Sequence, residues 1–475
     1  MCIRGSGRLP CKCKAQEGDI KMELSAKTVL FTEDGREVTV LKTISLNGGS
    51  ADVYKVSAAG KDYALKWFKL TNCVWGSETE NHVRMLMQKG APGDNFSWPL
   101  ALVSEKKKAE AGDTLGYLMP LMPDNFFDMK YFLQGSDKPK AKSFETYYAQ
   151  LSACIELAYN MSILHLAGWC YQDLNHGNFG FDPKTGKVFI LDVDPIIVDE
   201  PKANTDVKGM RGYMAPEIPR GKYRGHPSRL TDYYSLAVIL YRLMFISHPM
   251  EGKRCAECPM WTDEAEEYLY EIHPVFCYDP KNTSNRPNTE WGTDAYLRWN
   301  IWPKALQDKF IQAFTDGVDN PNLRVTDLSW IGIFSRIRNL LLDIPNYHEH
   351  LVDFNNSKSI PPFCMKMTHF VKNHEIGVSA LYPGKTFYLH TVTDDVKDIH
   401  TPAIAVAYDS AKRQMLLKNY TQETWQVFFP GQPQDQAIRP CPPGGIFPIM
   451  DGVQIQFRKT ADTNYVAKIT DPKKT

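Results

Sequence analysis

At 475 residues, 43% hydrophobic and 23% charged, the chain is globular and too long for one ordinary core, so two or three domains are expected. Lys plus Arg equals Asp plus Glu at 55 each, which removes any global field for nucleic acid or an anionic membrane. No apolar run approaches the roughly 18 residues of a membrane span, and eleven scattered cysteines form no disulfide framework, so a cytoplasmic protein is expected.

Residues 1–24 are basic, Gly-containing and aperiodic and lack a secretory core, which predicts a flexible tail. Cys11-Lys-Cys13 and Cys255-Ala-Glu-Cys258 have no second ligand pair at zinc-finger spacing, so they read as loop thiols. Short strands are expected at Thr28 to Phe31 and Val38 to Leu41, joined by the Glu33-Asp34-Gly35 turn. Leu46 to Val56 and Lys61 to Trp67 then read as strand, glycine turn, strand, turn, strand. Gly48, Gly49 and Ser50 allow backbone amides close to a phosphate, Val53 and Ala64 flank them, and Lys66 can reach the same phosphates. A Gly-Gly turn alone is more often a plain hairpin. Glu78 to Gln88 is expected to be helical, with Glu80, or failing it Glu78, pairing with Lys66; a solvated helix N-terminus is the bland alternative. The strand Leu115 to Met119 leads into Pro120-Leu121-Met122-Pro123, where Met119, Leu121 and Met122 suit an adenine ring. Ser143 is the expected N-cap of a long helix carrying Tyr147, Leu151, Cys154, Ala158 and Met161 on one face.

That helix delivers the chain to Tyr171-Gln172-Asp173-Leu174-Asn175-His176-Gly177-Asn178, then across a hairpin to Phe189-Ile190-Leu191-Asp192. The spacing suits an Asp that orients an attacking hydroxyl, Asp173, with Asn178 and Asp192 holding a metal against phosphates. Tyr213-Met214-Ala215-Pro216-Glu217, the run Thr231 to Tyr241 with Asp232, and Asn320 to Thr326 with Arg324 follow in order. Together these elements make residues 25–345 resemble a eukaryotic-type protein kinase domain. The resemblance implies an α+β, bilobal fold, with a β-rich N-lobe at 25–120 and a helical C-lobe at 121–345. It also implies ATP with magnesium or manganese as cofactors, a protein Ser/Thr substrate, an Asp232 bond to the catalytic-loop backbone, and a buried Glu217–Arg324 ion pair.

Some positions depart from that pattern. Gln172 stands in place of the usual Arg, Asn175 in place of a phosphate-contacting Lys, Asp194 in place of the D-F-G glycine, and Leu46 and Ala51 in place of loop glycines. Asp194 is expected to join Asn178 and Asp192 around the metal, because carboxylates two residues apart repel unless a cation neutralises them. The Asp-Leu-Asn-x-Gly-Asn string also resembles small-molecule kinases of the aminoglycoside phosphotransferase type, and a silent, nucleotide-binding pseudokinase scaffold is the non-enzymatic alternative. The long stretch at 251–302 makes the kinase region similar to a bacterial family associated with tellurium-resistance and stress operons. That likeness implies a von Willebrand factor A-like protein and a metal-dependent protein phosphatase as partners.

Residues 346–368 read as a linker and 369–475 as a small all-β sandwich. Leu416 to Tyr420 and Ile449 to Ile455 resemble strands of forkhead-associated domains, but Gly384-Lys385 stands where Gly-Arg is expected. A phosphate-independent docking module is therefore expected ahead of a phosphothreonine reader.

Overall fold

A computed structural model describes residues 23–46, 49–70, 72–134, 138–200, 209–219, 226–344, 348–393, 395–433, 437–459 and 464–474. Most of the expected tail, with Cys11 and Cys13, and the expected phosphate-loop residue Gly48 lie outside the described residues. The chain divides into two compact units, one holding residues up to 126 with 178–180 and 189–196, the other holding the rest.

The first unit is a closed barrel. Strands β1 (Val29–Thr32), β2 (Glu37–Ser45), β3 (Ala51–Ala58) and β4 (Lys61–Phe68) precede helix α1 (Glu78–Lys89), which is followed by β5 (Ala101–Ser104) and β6 (Gly116–Met119). Their order around the barrel is β1-β2-β3-β4-β6-β5. The period-two pattern of β3 turns Tyr54, Val56 and Ala58 into a core shared with Leu30, Val38, Leu65 and Trp67. Gly116 opens β6 because a Cβ there would meet the Trp67 ring at 2.5 Å, so only glycine lets β6 lie against β4. Ser77 caps α1 through the Glu80 N–H.

In the second unit the long helix α2 spans Tyr147–Leu166. Its N-cap is Thr146, whose hydroxyl accepts from the Ala149 N–H, not the expected Ser143. Leu151, Cys154, Ala158 and Met161 are fully buried as their spacing requires, whereas Tyr147 is exposed. The strands β7 (Phe179–Phe181) and β8 (Val188–Ile190), of which 179–180 and 189–190 count with the first unit, form the expected hairpin. Gly186 closes its turn at φ +75°, where a Cβ would sit 2.1 Å from the Ala149 carbonyl oxygen. Helix α3 (Arg229–Phe245) is apolar nearly all round and buried accordingly, and α4 (Lys304–Phe314) and α5 (Asp327–Leu340) complete the helical layer. Residues 251–302 pack against α3, with Tyr241 beside Phe276, Phe245 beside Trp299, and Tyr278 stacked on Trp299 at 4.0 Å. The stretch is thus part of the helical core.

After α5 comes an all-β region of ten strands among the described residues: β9 (Met365–Val371), β10 (His374–Leu381), β11 (Thr386–Tyr388), β12 (Pro402–Asp409), β13 (Gln414–Asn419), β14 (Trp425–Phe428), β15 (Ile438–Cys441), β16 (Ile446–Pro448), β17 (Gln454–Lys459) and β18 (Asn464–Thr470). One sheet has the order β10-β9-β18-β17-β14-β15 and the other β11-β12-β13-β16. Met367, Phe387, Leu417, Trp425 and Ile455 join both sheets into one core. The linker expected at 346–368 is shorter than its composition suggested. Leu341–Leu342 pairs with His350–Leu351, Val352, Ile360 and Cys364 pack under Tyr382, and β9 starts at Met365.

The β region is docked on the helices by buried polar contacts. The Lys385 ammonium donates to the Arg338 and Leu341 carbonyls at 2.8 and 3.0 Å, closing the C-terminal end of α5. Burial brings this amine down to about 7, with Arg338 nearby adding to the effect. The Arg338 guanidinium lies over Tyr148 and Tyr388, and Glu349 accepts from the Tyr147 and Tyr148 N–H groups that open α2. Lys385 occupies the Gly-Lys position considered for a phosphopeptide contact, and its amine is spent inside the chain. Lys385→Met strands two carbonyls at the α5 terminus, and urea denaturation should show a loss of about 1–3 kcal/mol.

Candidate functional site

Strand register brings the nucleotide-side residues of the first unit together. Val53 lies opposite Lys66 across β3 and β4, and Ala64 opposite Met119 across β4 and β6. Val53, Ala64, Met119 and Leu121 share one apolar cluster, and the half-buried Met122 follows Leu121. Gly49 and Ser50 precede β3, and a Cβ on Gly49 would meet nothing within 4 Å. The Lys66 side chain is only 10% exposed, and its ammonium lies 2.9 Å from Asp192 and 2.6 Å from Asp194. Burial works against this charge, but Asp192 and Asp194 outweigh it and raise the amine above its ordinary value.

The loop carrying those carboxylates is tied to its surroundings. The Leu191 N–H donates to the Asn178 carbonyl at 2.9 Å, and the Ser97 hydroxyl donates to the Leu191 carbonyl. The Tyr117 hydroxyl donates to Asp194 Oδ1 at 2.6 Å, and His82 Nε2 contacts the Asp194 carbonyl at 3.0 Å. Asp192 and the Asn178 amide offer hard oxygen donors, which fit magnesium held by one or two carboxylates plus phosphate oxygens. The Lys66 ammonium and the apolar cluster fit the phosphates and base of ATP.

One expected pairing is not formed. Glu80 accepts from the Gly76 N–H and from Arg84 Nε at 2.7 Å, while Arg84 also grips Glu33 with both terminal nitrogens. Arg84 is the i+4 neighbour of Glu80 on α1 and wins the carboxylate locally, leaving Lys66 to the Asp192 loop. Glu78, the fallback, is the exposed first residue of α1. His82 was not anticipated. The available signal was its place four residues before the fully buried Leu86, on the same helix face.

In the second unit the catalytic-loop motif is braced by its own side chains. Asp173 Oδ1 accepts from the Met210 N–H at 2.8 Å. The buried Asn175 amide donates to the Asp173 carbonyl, and its oxygen accepts from the Gly177 N–H. Asn175 thus shapes the loop through its own amide. Beneath it Asp232 Oδ2 accepts from the Tyr171 N–H at 2.6 Å, the backbone tie the motif implied. Glu217 and Arg324 form a buried two-pronged pair at 2.8 and 2.7 Å, and Arg324 also donates to the Gly317 and Leu230 carbonyls.

His165 lies between Asp232 at 3.1 Å and Asp327 at 2.8 Å, one carboxylate on each ring nitrogen. Only the doubly protonated imidazolium can donate to both. Burial lowers its affinity for the proton, but the two carboxylates prevail and push it up to about 9. Burial also lifts Asp232 above its ordinary value, outweighing the pull of His165 and of the Tyr171 N–H. A histidine whose folded value is raised stabilises fully below its unfolded value near 6.5, and that contribution is lost as pH climbs through about 9. Lys385 titrates in the opposite sense, so the test is the difference between wild type and His165→Gln. Wild type should lead by up to about 3 kcal/mol at pH 6 and lose that margin by pH 10 in chemical denaturation.

Residues 47–289, just over half of the chain, match the protein kinase domain family. The chain belongs to that family. The chain is 25% identical over 245 residues to a probable LIM domain-containing serine/threonine-protein kinase of Dictyostelium discoideum, covering 51% of this chain and 35% of the relative. It is 31% identical over 111 residues to calcium-dependent protein kinase 9 of Arabidopsis thaliana, covering 23% of this chain and 20% of the relative. It therefore spans about a third or less of the length of these curated relatives. Among solved structures, ROP2 of Toxoplasma gondii, described as having a protein-kinase fold and no enzymatic activity, matches with TM-score 0.43 and 14% identity over 64% of this chain and 82% of that one. No described helix of the chain is long and apolar enough to cross a membrane.

Proposed function

We propose that this kinase transfers the γ-phosphoryl group of ATP to serine or threonine hydroxyls of proteins, itself included. The observation that carries this reading is the buried Lys66 ammonium held 2.9 Å from Asp192 beside the Ala64 and Met119 cluster. In that reading Lys66 clamps phosphate oxygens and Asn178 and Asp192 hold the cation. Asp173 orients the substrate hydroxyl and takes its proton at a carboxylate oxygen. Bound magnesium–ATP supplies the phosphoryl group and the positive charge that its transfer requires. The Glu217–Arg324 pair and the Asp232 tie favour a protein substrate over a free sugar or aminoglycoside, because both shape the region expected to receive a peptide.

Incubation with γ-labelled ATP and magnesium or manganese, with a generic basic protein added, tests the proposal. Phosphoserine or phosphothreonine in the hydrolysate supports it, and label on a small molecule alone sinks it. Asp194 at the usual glycine position favours a second reading, a nucleotide-binding scaffold, which tight ATP binding without transfer would support. The resemblance to tellurium-resistance-associated kinases supports a cytoplasmic role in bacterial stress signalling, with a von Willebrand factor A-like protein and a metal-dependent phosphatase as partners. The buried Lys385 amine supports a phosphate-independent docking role for the forkhead-associated-like sandwich. Failure of either partner to co-purify with the tagged kinase would remove that assignment.

A further inference from the structure

We propose that Asp194, rather than Glu80, is the carboxylate that positions Lys66, with Tyr117 and His82 holding Asp194 in place; this rests on the kinase reading above. Three independent features of the first unit lead to it.

Both carboxylate oxygens of Asp194 are committed to protein donors, Oδ1 to the Tyr117 hydroxyl at 2.6 Å and Oδ2 to the Lys66 ammonium at 2.6 Å. With both oxygens already held by protein donors, Asp194 suits a lysine partner better than the cation role expected from the sequence. Asp192 Oδ1 meets the same Lys66 ammonium and accepts from the Asp194 N–H.

On the helix side, Glu80 is unavailable. Arg84 and the Gly76 N–H take its two oxygens, Arg84 is itself anchored by Glu33 at 2.7 Å, and its guanidinium lies 5.5 Å from the Trp75 ring. Moving Glu80 to Lys66 would break a charge-assisted bond and a capping-turn bond for one new ion pair. The α1 side chain that does reach the Asp192 loop is His82, through the Asp194 carbonyl, and it brings no carboxylate.

Charge balance is the third feature. Carboxylates two residues apart repel, and the shared Lys66 ammonium screens that repulsion by offsetting one of the two negative charges. Lys66 on β4 is thereby tied to the loop that carries Asp192 and Asp194. Helix α1 then reaches Lys66 indirectly, through the His82 contact with the Asp194 carbonyl, and not through a carboxylate of its own.

The test compares Asp194→Asn, Tyr117→Phe, Glu80→Gln, Asp194→Gly, and the double variant Asp194→Gly with His82→Glu, which returns a carboxylate to α1 facing the loop. Steady-state kcat and KM for ATP are read beside magnesium–ATP affinity by calorimetry. Asp194→Asn should lower kcat about a hundredfold and affinity about tenfold, and Tyr117→Phe should lower kcat about tenfold. Glu80→Gln should leave both within about twofold, and the double variant should recover at least about tenfold in kcat over Asp194→Gly. A merely structural role for Asp194 predicts no such recovery. Near-normal Asp194→Asn beside a crippled Glu80→Gln would overturn the assignment while leaving the kinase reading intact. Wild type that binds magnesium–ATP but transfers nothing would end the kinase reading, and the affinity contrast between Asp194→Asn and Glu80→Gln would still decide the lysine partner. Wild type that binds no magnesium–ATP overturns both.

Discussion

Asp173→Ala and Asp192→Ala should each cut γ-phosphoryl transfer by about 10²–10⁴-fold, with the protein still folded. The two losses have different origins. Asp192 stands beside the buried Lys66 ammonium, and its removal takes away both a cation ligand and part of the charge that holds the lysine, so the apparent affinity for magnesium–ATP should weaken as well. Asp173 accepts from the Met210 N–H through one oxygen. Its loss removes the group that orients the hydroxyl, so kcat should fall with nucleotide binding nearly unchanged. Transfer from labelled ATP, paired with calorimetric binding, separates the two. Equal activity in wild type and both variants would mean that the label came from a contaminating enzyme.

The second large effect is on stability. Arg324→Ala leaves Glu217 buried and charged without its guanidinium, and also strips hydrogen bonds from the Gly317 and Leu230 carbonyls. Removing one partner of such a pair typically costs about 3–5 kcal/mol, because the orphaned charge stays out of water. Glu217→Ala should cost a similar amount, and the double replacement less than the sum of the two. Urea titration followed by tryptophan fluorescence reads this directly; a cost below about 1 kcal/mol for either variant would show that water reaches the pair.

Much of the barrel was legible because its elements obey local rules. Val38 to Leu41 alternates with period two, Lys61 to Trp67 is a β-rich run that follows a turn, and Ser77 caps the helix that contains Glu80. The sandwich was legible too, because strands such as Trp425–Phe428 are short apolar runs between turn residues. Strand Met365–Val371 was missed because its buried residues, Met367 to His369, are mixed with Lys366 and an exposed turn, so composition read as linker. The N-cap shifted from Ser143 to Thr146 because hydroxyl residues three apart offer equally good caps, and only packing of α2 selects between them.

The sequence alone determined the order of chemical parts: a lysine on a strand, the Asp173 to Asn178 loop, Asp192, and the distant Glu217 and Arg324, with fixed spacing in each motif. Spacing along one element is a local property, so it can be read without a fold. Which charges actually meet was decided only by tertiary structure. Lys66 goes to Asp192 and Asp194 and Glu80 to Arg84, since a carboxylate takes the nearest well-aligned cation and that neighbour depends on how α1, β4 and the Asp192 loop are packed. Likewise Lys385, 47 residues from Arg338 in sequence, became a cap for the end of α5 because burial against that helix left the two carbonyls no water.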